Sequence, residues 1–109
     1  MKIWALPVSE LDRSRLLGEH AELHALYAAI TRGYRAWRNH PETRRFRDHL
    51  GQLVARHRQQ VEELLARGYA HASPLLRPPP EDPYRYTTDE EARDRALLRS
   101  RGGGLSHPA

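Results

Sequence analysis

The chain opens on a short apolar run, Ile3, Trp4, Leu6 and Val8, with Pro7 set inside it. Proline lacks a backbone donor and disfavours helix in the residue before it, so residues 1–8 read as an extended segment. Ser9 followed by Asp12 is a variant of the capping box, and from there Leu16, Leu23, Leu26, Tyr27 and Ile30 recur at helical spacing. This predicts a first helix running to about Thr31, closed by Gly33, with Leu17 and His20 at the edges of its apolar stripe. Pro41 suits a first helical turn and predicts a second helix to about Ala66, broken near Gly51 and ended by Gly68. Leu50, Leu53, Val54, Val61, Leu64 and Leu65 supply its apolar side. Residues 70–87 hold five of the eight prolines and read as a non-helical connector. Thr88 with Glu91 then caps a last helix over about 89–100, and residues 102–109 read as a disordered tail. The pattern is all-α: a compact three-helix single domain over 1–101, with an extended N-terminal segment and a Pro-rich connector before the last helix.

One face of the first helix breaks the usual polar pattern. Gly18, Glu22, Ala25 and Ala29 form a row, with Ala21 and Ala28 beside it. Small residues around a carboxylate let a second backbone or a ligand come close. A plain helix–helix contact is the ordinary use of such a row, but a buried carboxylate without a cation is costly. Glu22 therefore calls for either a cationic partner or a cavity.

Charge adds a second theme. The net charge is +4, and between Thr31 and Arg58 eight arginines (Arg32, Arg35, Arg38, Arg44, Arg45, Arg47, Arg56, Arg58) face only Glu42 and Asp48. Tyr34, Trp37 and Phe46 are interleaved with them, a pattern that suits a polyanion such as a nucleic acid and equally a solvated arginine-rich surface. No apolar run approaches the roughly 20 residues of a membrane span, and the short start lacks the apolar length of a signal peptide. A cytoplasmic monomer is the expectation. The chain has no cysteine, which excludes disulfides, thiolate catalysis and Cys-type zinc sites.

Lys2 is the only lysine, so the amines are the α-amine of Met1 and the ε-amine of Lys2. An amine beside a carboxylate is the minimal equipment for imine chemistry on a carbonyl or a sugar. The α-amine has a reference pKa near 7.7–8.0 against about 10.4 for lysine, and so is the readier nucleophile at neutral pH. His20 and His24 stand four residues apart with Glu19 beside them, a spacing able to hold a metal. With no third ligand evident, they read as lining the Glu22 cavity or as core histidines, and neither a metal nor another cofactor is expected. The charged stretches 56–67 and 89–101 read as solvated helix faces.

Met1-Lys2-Ile3-Trp4, LLGEHAELH (Leu16–His24), HPETRRF (His40–Phe46) and ARGYAHASPL (Ala66–Leu75) together resemble the pyrimidine-dimer DNA glycosylase/AP lyase family of the endonuclease V type, most closely its short bacterial branch. The resemblance covers about residues 1–75. It implies that the α-amine of Met1 is the nucleophile and Glu22, within the Glu19–Leu23 segment, the catalytic glutamate, with Lys2 on the DNA backbone. Ala21 and Ala25 stand where the family carries phosphate-clamping arginines; Arg13, Arg15, Arg44, Arg45 and Arg47 are the replacements at hand, with Arg35 and Arg38 on the same basic loop. Gly18, His20, Ala21, His24 and Ala25 would line the sugar cavity. Tyr84 and Tyr86 are further aromatic groups within reach of DNA. The expected function is a DNA glycosylase with AP-lyase activity. An abasic-site lyase, a catalytically impaired DNA binder and a helical interaction module are the alternatives.

Overall fold

The structure is a computed structural model and describes residues 2–70 and 73–102. Four α-helices carry it: α1 (Arg13–Arg32), α2 (Pro41–Phe46), α3 (Leu50–Ala66) and α4 (Thr88–Ser100), with short 3-10 turns at Val8–Glu10 and Arg35–Trp37. There is no strand among the described residues. The fold is all-α, with three longer helices and the short α2.

Three boundaries differ from the periodicity reading. The first helix starts at Arg13, because Asp12 accepts the Arg15 amide as N-cap and residues 8–10 turn as 3-10 instead. Its end is as read: Gly33 closes it at φ 67°, a left-handed conformation that glycine adopts without strain. The second helix breaks at Arg47–His49, before Gly51, and the two pieces together seat Phe46 and Leu53 in one core cluster. Gly51 serves the connector: a Cβ there would stand 2.7 Å from the Pro80 carbonyl, and the Gly51 carbonyl accepts the Asp82 amide at 3.1 Å. The last helix is capped by the reciprocal Thr87–Glu90 box, one residue earlier than Thr88–Glu91; the doubled Thr-Thr and Glu-Glu give both pairs the same spacing.

α1 packs on α2 and α3, and the core divides into two clusters. One holds Ile3, Leu23, Leu26, Tyr27, Phe46, Leu53 and Leu75; the other holds Trp4, Leu6, Leu11, Leu16, Leu64 and Leu98. Extended backbone sends successive side chains to opposite sides. Ile3 accordingly enters one cluster while Trp4 and Leu6 enter the other, and the N-terminal segment runs between the two. Leu65, expected in the core, is 57% exposed. The N-terminal part of the small-residue row is open, with Gly18, Ala21 and Ala25 exposed and open space facing the Cα of Gly18, while Ala29 at its other end is buried. The tail over 103–109 lies outside the described residues.

Candidate active site

An extended segment inside a helical protein has no ladder to satisfy its amides, and buried amides need partners. Here four consecutive N–H groups go to four carboxylates. Lys2 donates to Glu22 Oε2, Ile3 to Glu42 Oε2 at 2.7 Å, Trp4 to Glu19 Oε1 at 2.7 Å and Ala5 to Asp94 Oδ2 at 2.7 Å. The acceptors come from α1, α2, α1 and α4 in turn. Bonds of amides to ionised acceptors are about twice as strong as neutral ones.

Glu19 and Arg56 form the centre of this arrangement, 2% and 1% exposed. Glu19 accepts from Arg56 Nε at 2.8 Å, Arg56 Nη2 at 3.0 Å, Gln60 Nε2 at 2.5 Å and the Trp4 amide, which fills a carboxylate's acceptor capacity. Arg56 also donates to the carbonyls of Leu6 at 2.7 Å and Trp4 at 3.0 Å. The segment is thus gripped through its carbonyls as well as its amides. Tyr84 donates its hydroxyl to the Trp4 carbonyl at 2.8 Å and lies under the Arg56 guanidinium; burial pushes its phenol well above the usual range, partly offset by Arg56 and Arg45. Tyr84 is therefore a wall of the interior rather than a surface reader of DNA.

Glu22 is half-buried and lines an open notch of about 250 Å³ with Lys2, Trp4, Ser14, Arg15, Gly18, Glu19 and Arg101. Of the sequence-predicted residues, the notch gathers Glu22, Lys2, Arg15 and Gly18. Met1 lies outside the described residues. The Lys2 ammonium pairs with Asp94 Oδ1 at 3.0 Å and sits 5.2 Å from the Trp4 ring. Arg15 bonds the Arg101 carbonyl at 2.8 Å, so the end of α4 closes one side. Ala21 and Ala25 are exposed and are not among the notch's lining residues. His20 and His24 line a separate groove with Leu17, Leu64 and Tyr69. There they meet His57 of α3, and one ligand nitrogen from each of the three lies within 4.8 Å of the others. This supplies the third imidazole that the His20–His24 spacing lacked in sequence.

The arginines divide by direction. Arg35, Arg38, Arg44 and Arg47 are exposed, and Arg38 and Arg47 line a small cavity with Tyr34 at the C-terminal end of α1. Eleven residues of helix separate Glu22 from Gly33, about 16 Å along the axis, or the rise of four to five nucleotides. Arg13 is exposed and lies over the Tyr69 ring at 5.8 Å, on the histidine side of the helix. Arg45 turns inward, donating to the Ile3 carbonyl at 3.3 Å and the Tyr84 hydroxyl at 3.1 Å. Phe46 is core, 1% exposed, and offers nothing to a base. Segments 56–67 and 89–101 are not plain solvated faces, since Arg56, Gln60 and Asp94 are buried and hold the N-terminal segment.

No curated protein and no solved structure matches the chain. The family model for pyrimidine dimer DNA glycosylase matches residues 1–76 of the 109, a stretch that includes the extended segment, Glu22 and the exposed arginine loop, and the chain belongs to that family.

Proposed function

We propose that the protein removes a damaged pyrimidine from double-stranded DNA and then cuts the abasic strand, with the α-amine of Met1 as nucleophile and Glu22 as the assisting carboxylate. The unprotonated amine attacks C1′ of the damaged nucleotide; the C1′–N bond breaks and the base leaves with its electron pair. Loss of a proton from nitrogen and opening of the sugar ring give an imine at C1′. Glu22 stabilises the positive charge developing there and takes a proton from C2′. The electrons of that C–H bond form the new C=C, the C3′–O bond breaks and the phosphate departs. Water then hydrolyses the imine and returns the amine.

The observation that carries this reading is the Lys2 amide on the Glu22 carboxylate at an open notch. Standard bond lengths keep a residue's nitrogen within about 4 Å of the next one. The amine this reading needs belongs to the residue that directly precedes the Lys2 amide in the chain. The rival amine, Lys2 Nζ, is engaged with Asp94. Arg15 on the notch wall suits a phosphate flanking the sugar, and the exposed Arg35, Arg38, Arg44 and Arg47 suit the backbone a few nucleotides away. Turning the damaged nucleotide out of the stack is the usual route to such a pocket.

Borohydride reduction in the presence of abasic duplex tests the reading. It should give a covalent adduct that maps to the Met1 nitrogen, and a chain extended at its N-terminus should give none. Absence of an adduct with DNA binding intact would leave a binding protein only. An abasic-site lyase is the second reading, favoured by the exposed Ala21 and Ala25, which add no cation to the Glu22 face. Cleavage of abasic duplex without cleavage of dimer-containing duplex selects it.

A further inference from the structure

We propose that His20, His24 and His57 form a binding site for a divalent first-row transition ion, with Zn²⁺ the natural probe, that ties α1 to α3. This site is independent of the imine chemistry: at 100° per residue Glu22 projects about 160° away from both His20 and His24.

The donor set is that of a three-histidine centre. His20 and His24 are one turn apart on α1, and His57 comes from α3 across the packed interface. The ring centroids stand 4.7, 5.3 and 5.0 Å apart, so the three imidazoles form a compact triangle. Their ligand nitrogens lie within 4.8 Å of one another. Metal–nitrogen bonds of about 2.0–2.1 Å in tetrahedral geometry need donors about 3.4 Å apart. Ring rotations that draw each nitrogen in by about an ångström meet that requirement. Imidazole is well suited to this class of ion, and three neutral ligands leave a fourth position open.

The surroundings orient at least one ring. His20 Nδ1 lies 2.8 Å from Gln60 Oε1, and Gln60 Nε2 donates to Glu19. Since the amide nitrogen is committed to a carboxylate, its oxygen accepts from His20 Nδ1–H. In that tautomer the ring's lone pair is on His20 Nε2, the outer-shell pattern that fixes metal-binding histidines. The fourth position would open on the groove of about 570 Å³ lined by Leu17, His20, His24, Leu64 and Tyr69, which has room for a water or another small ligand.

The test uses the full chain, stripped with chelator and titrated with Zn²⁺ by calorimetry. The expected result is one ion per chain and a melting temperature raised by several degrees at saturation. His57→Gln and, separately, His24→Gln should each weaken binding at least about 100-fold, more than the 10–100-fold typical of outer-shell changes. Each should also abolish the thermal shift. The exposed His49→Gln should bind as wild type. Absence of saturable binding in the wild type would overturn the site, as would unchanged binding in both ligand variants or equal loss in His49→Gln. If His57→Gln fails to fold, His24→Gln decides alone, because it leaves the α3 side of the interface untouched.

Discussion

Arg56→Met is the perturbation that most directly probes how the N-terminal segment is held. The guanidinium makes two bonds to Glu19 and one each to the Leu6 and Trp4 carbonyls, all in the interior. Methionine fills much of the volume but supplies no donor. Glu19 then keeps only the Trp4 amide and Gln60, and the Leu6 carbonyl loses the donor it has from Arg56. Removing one partner of a buried ion pair costs about 3–5 kcal/mol. That is a large part of the roughly 5–15 kcal/mol by which a domain this size is stable. At about 4 °C or more per kcal/mol the melting temperature should fall by at least about 12–20 °C. Urea unfolding of wild type, Arg56→Met, Glu19→Gln and the double variant measures it. The double variant should recover about 2 kcal/mol relative to the sum of the singles, because it leaves no uncompensated charge. A cost below about 1 kcal/mol for Arg56→Met, or strict additivity, would refute the idea that this pair anchors the segment.

Three further outcomes are expected. Glu22→Gln keeps DNA affinity within a few-fold in a binding titration while strand cleavage drops by about 10²–10⁴, the usual range for an assisting acid–base group; equal cleavage removes Glu22 from the mechanism. Arg38→Ala with Arg47→Ala weakens DNA binding at all sequences and lowers the slope of log affinity against log salt by about 2, one per phosphate contact; an unchanged slope places the DNA elsewhere. Tyr84 contributes to alkaline stability. Its phenol is held above its unfolded value by burial, so the folded state retains the proton after the unfolded chain has lost it. Its contribution is complete below about pH 10 and lost above it, at about 1.4 kcal/mol per pH unit. Tyr84→Phe should therefore be slightly less stable at pH 8, having lost the bond to the Trp4 carbonyl, yet decline less steeply between pH 10 and 11. Parallel pH profiles for the two proteins would contradict this.

Gly33 and Pro41 were legible as the end of α1 and the start of α2 because they act on their own neighbours, whereas the N-caps of α1 and α4 fall at Asp12 and Thr87 and not in the boxes read from Ser9 and Thr88. Glu22 was singled out by its setting among small residues and by the family pattern, and in the structure it lines an open notch beside Lys2. Arg56, Gln60 and Asp94 were not, because their roles depend on partners 37 to 89 residues away. A signal did exist. Leu16, Glu19, Leu23 and Leu26 share one stripe of α1, and Leu53, Arg56, Gln60 and Leu64 share one of α3. A charged or amide residue at a stripe position is either an error of register or a buried partner. Two such stripes facing each other, one with an acid and one with a base, point to a pair. His57 was missed for the same reason, since only the α1–α3 packing brings it to His20 and His24.

The family match ends at residue 76, yet the notch does not. Asp94 takes the Ala5 amide and the Lys2 ammonium, Tyr84 takes the Trp4 carbonyl, and Arg101 forms part of the wall beside Arg15. These three residues come from the connector and α4. A threaded segment has no hydrogen-bonding order of its own, so its position is set only when every helix that supplies a carboxylate is in place. Residues 2–5 touch α1, α2 and α4 in succession, and the buried Arg56 adds α3. The geometry around Glu22 is therefore a property of the whole fold and not of α1 alone. This explains why an acidic residue with little sequence context beyond alanines can be held in a defined place: the segment docked against it is fixed independently at each following residue. It also assigns the connector and α4 a task that their composition conceals, that of helping to clamp residues 2–5.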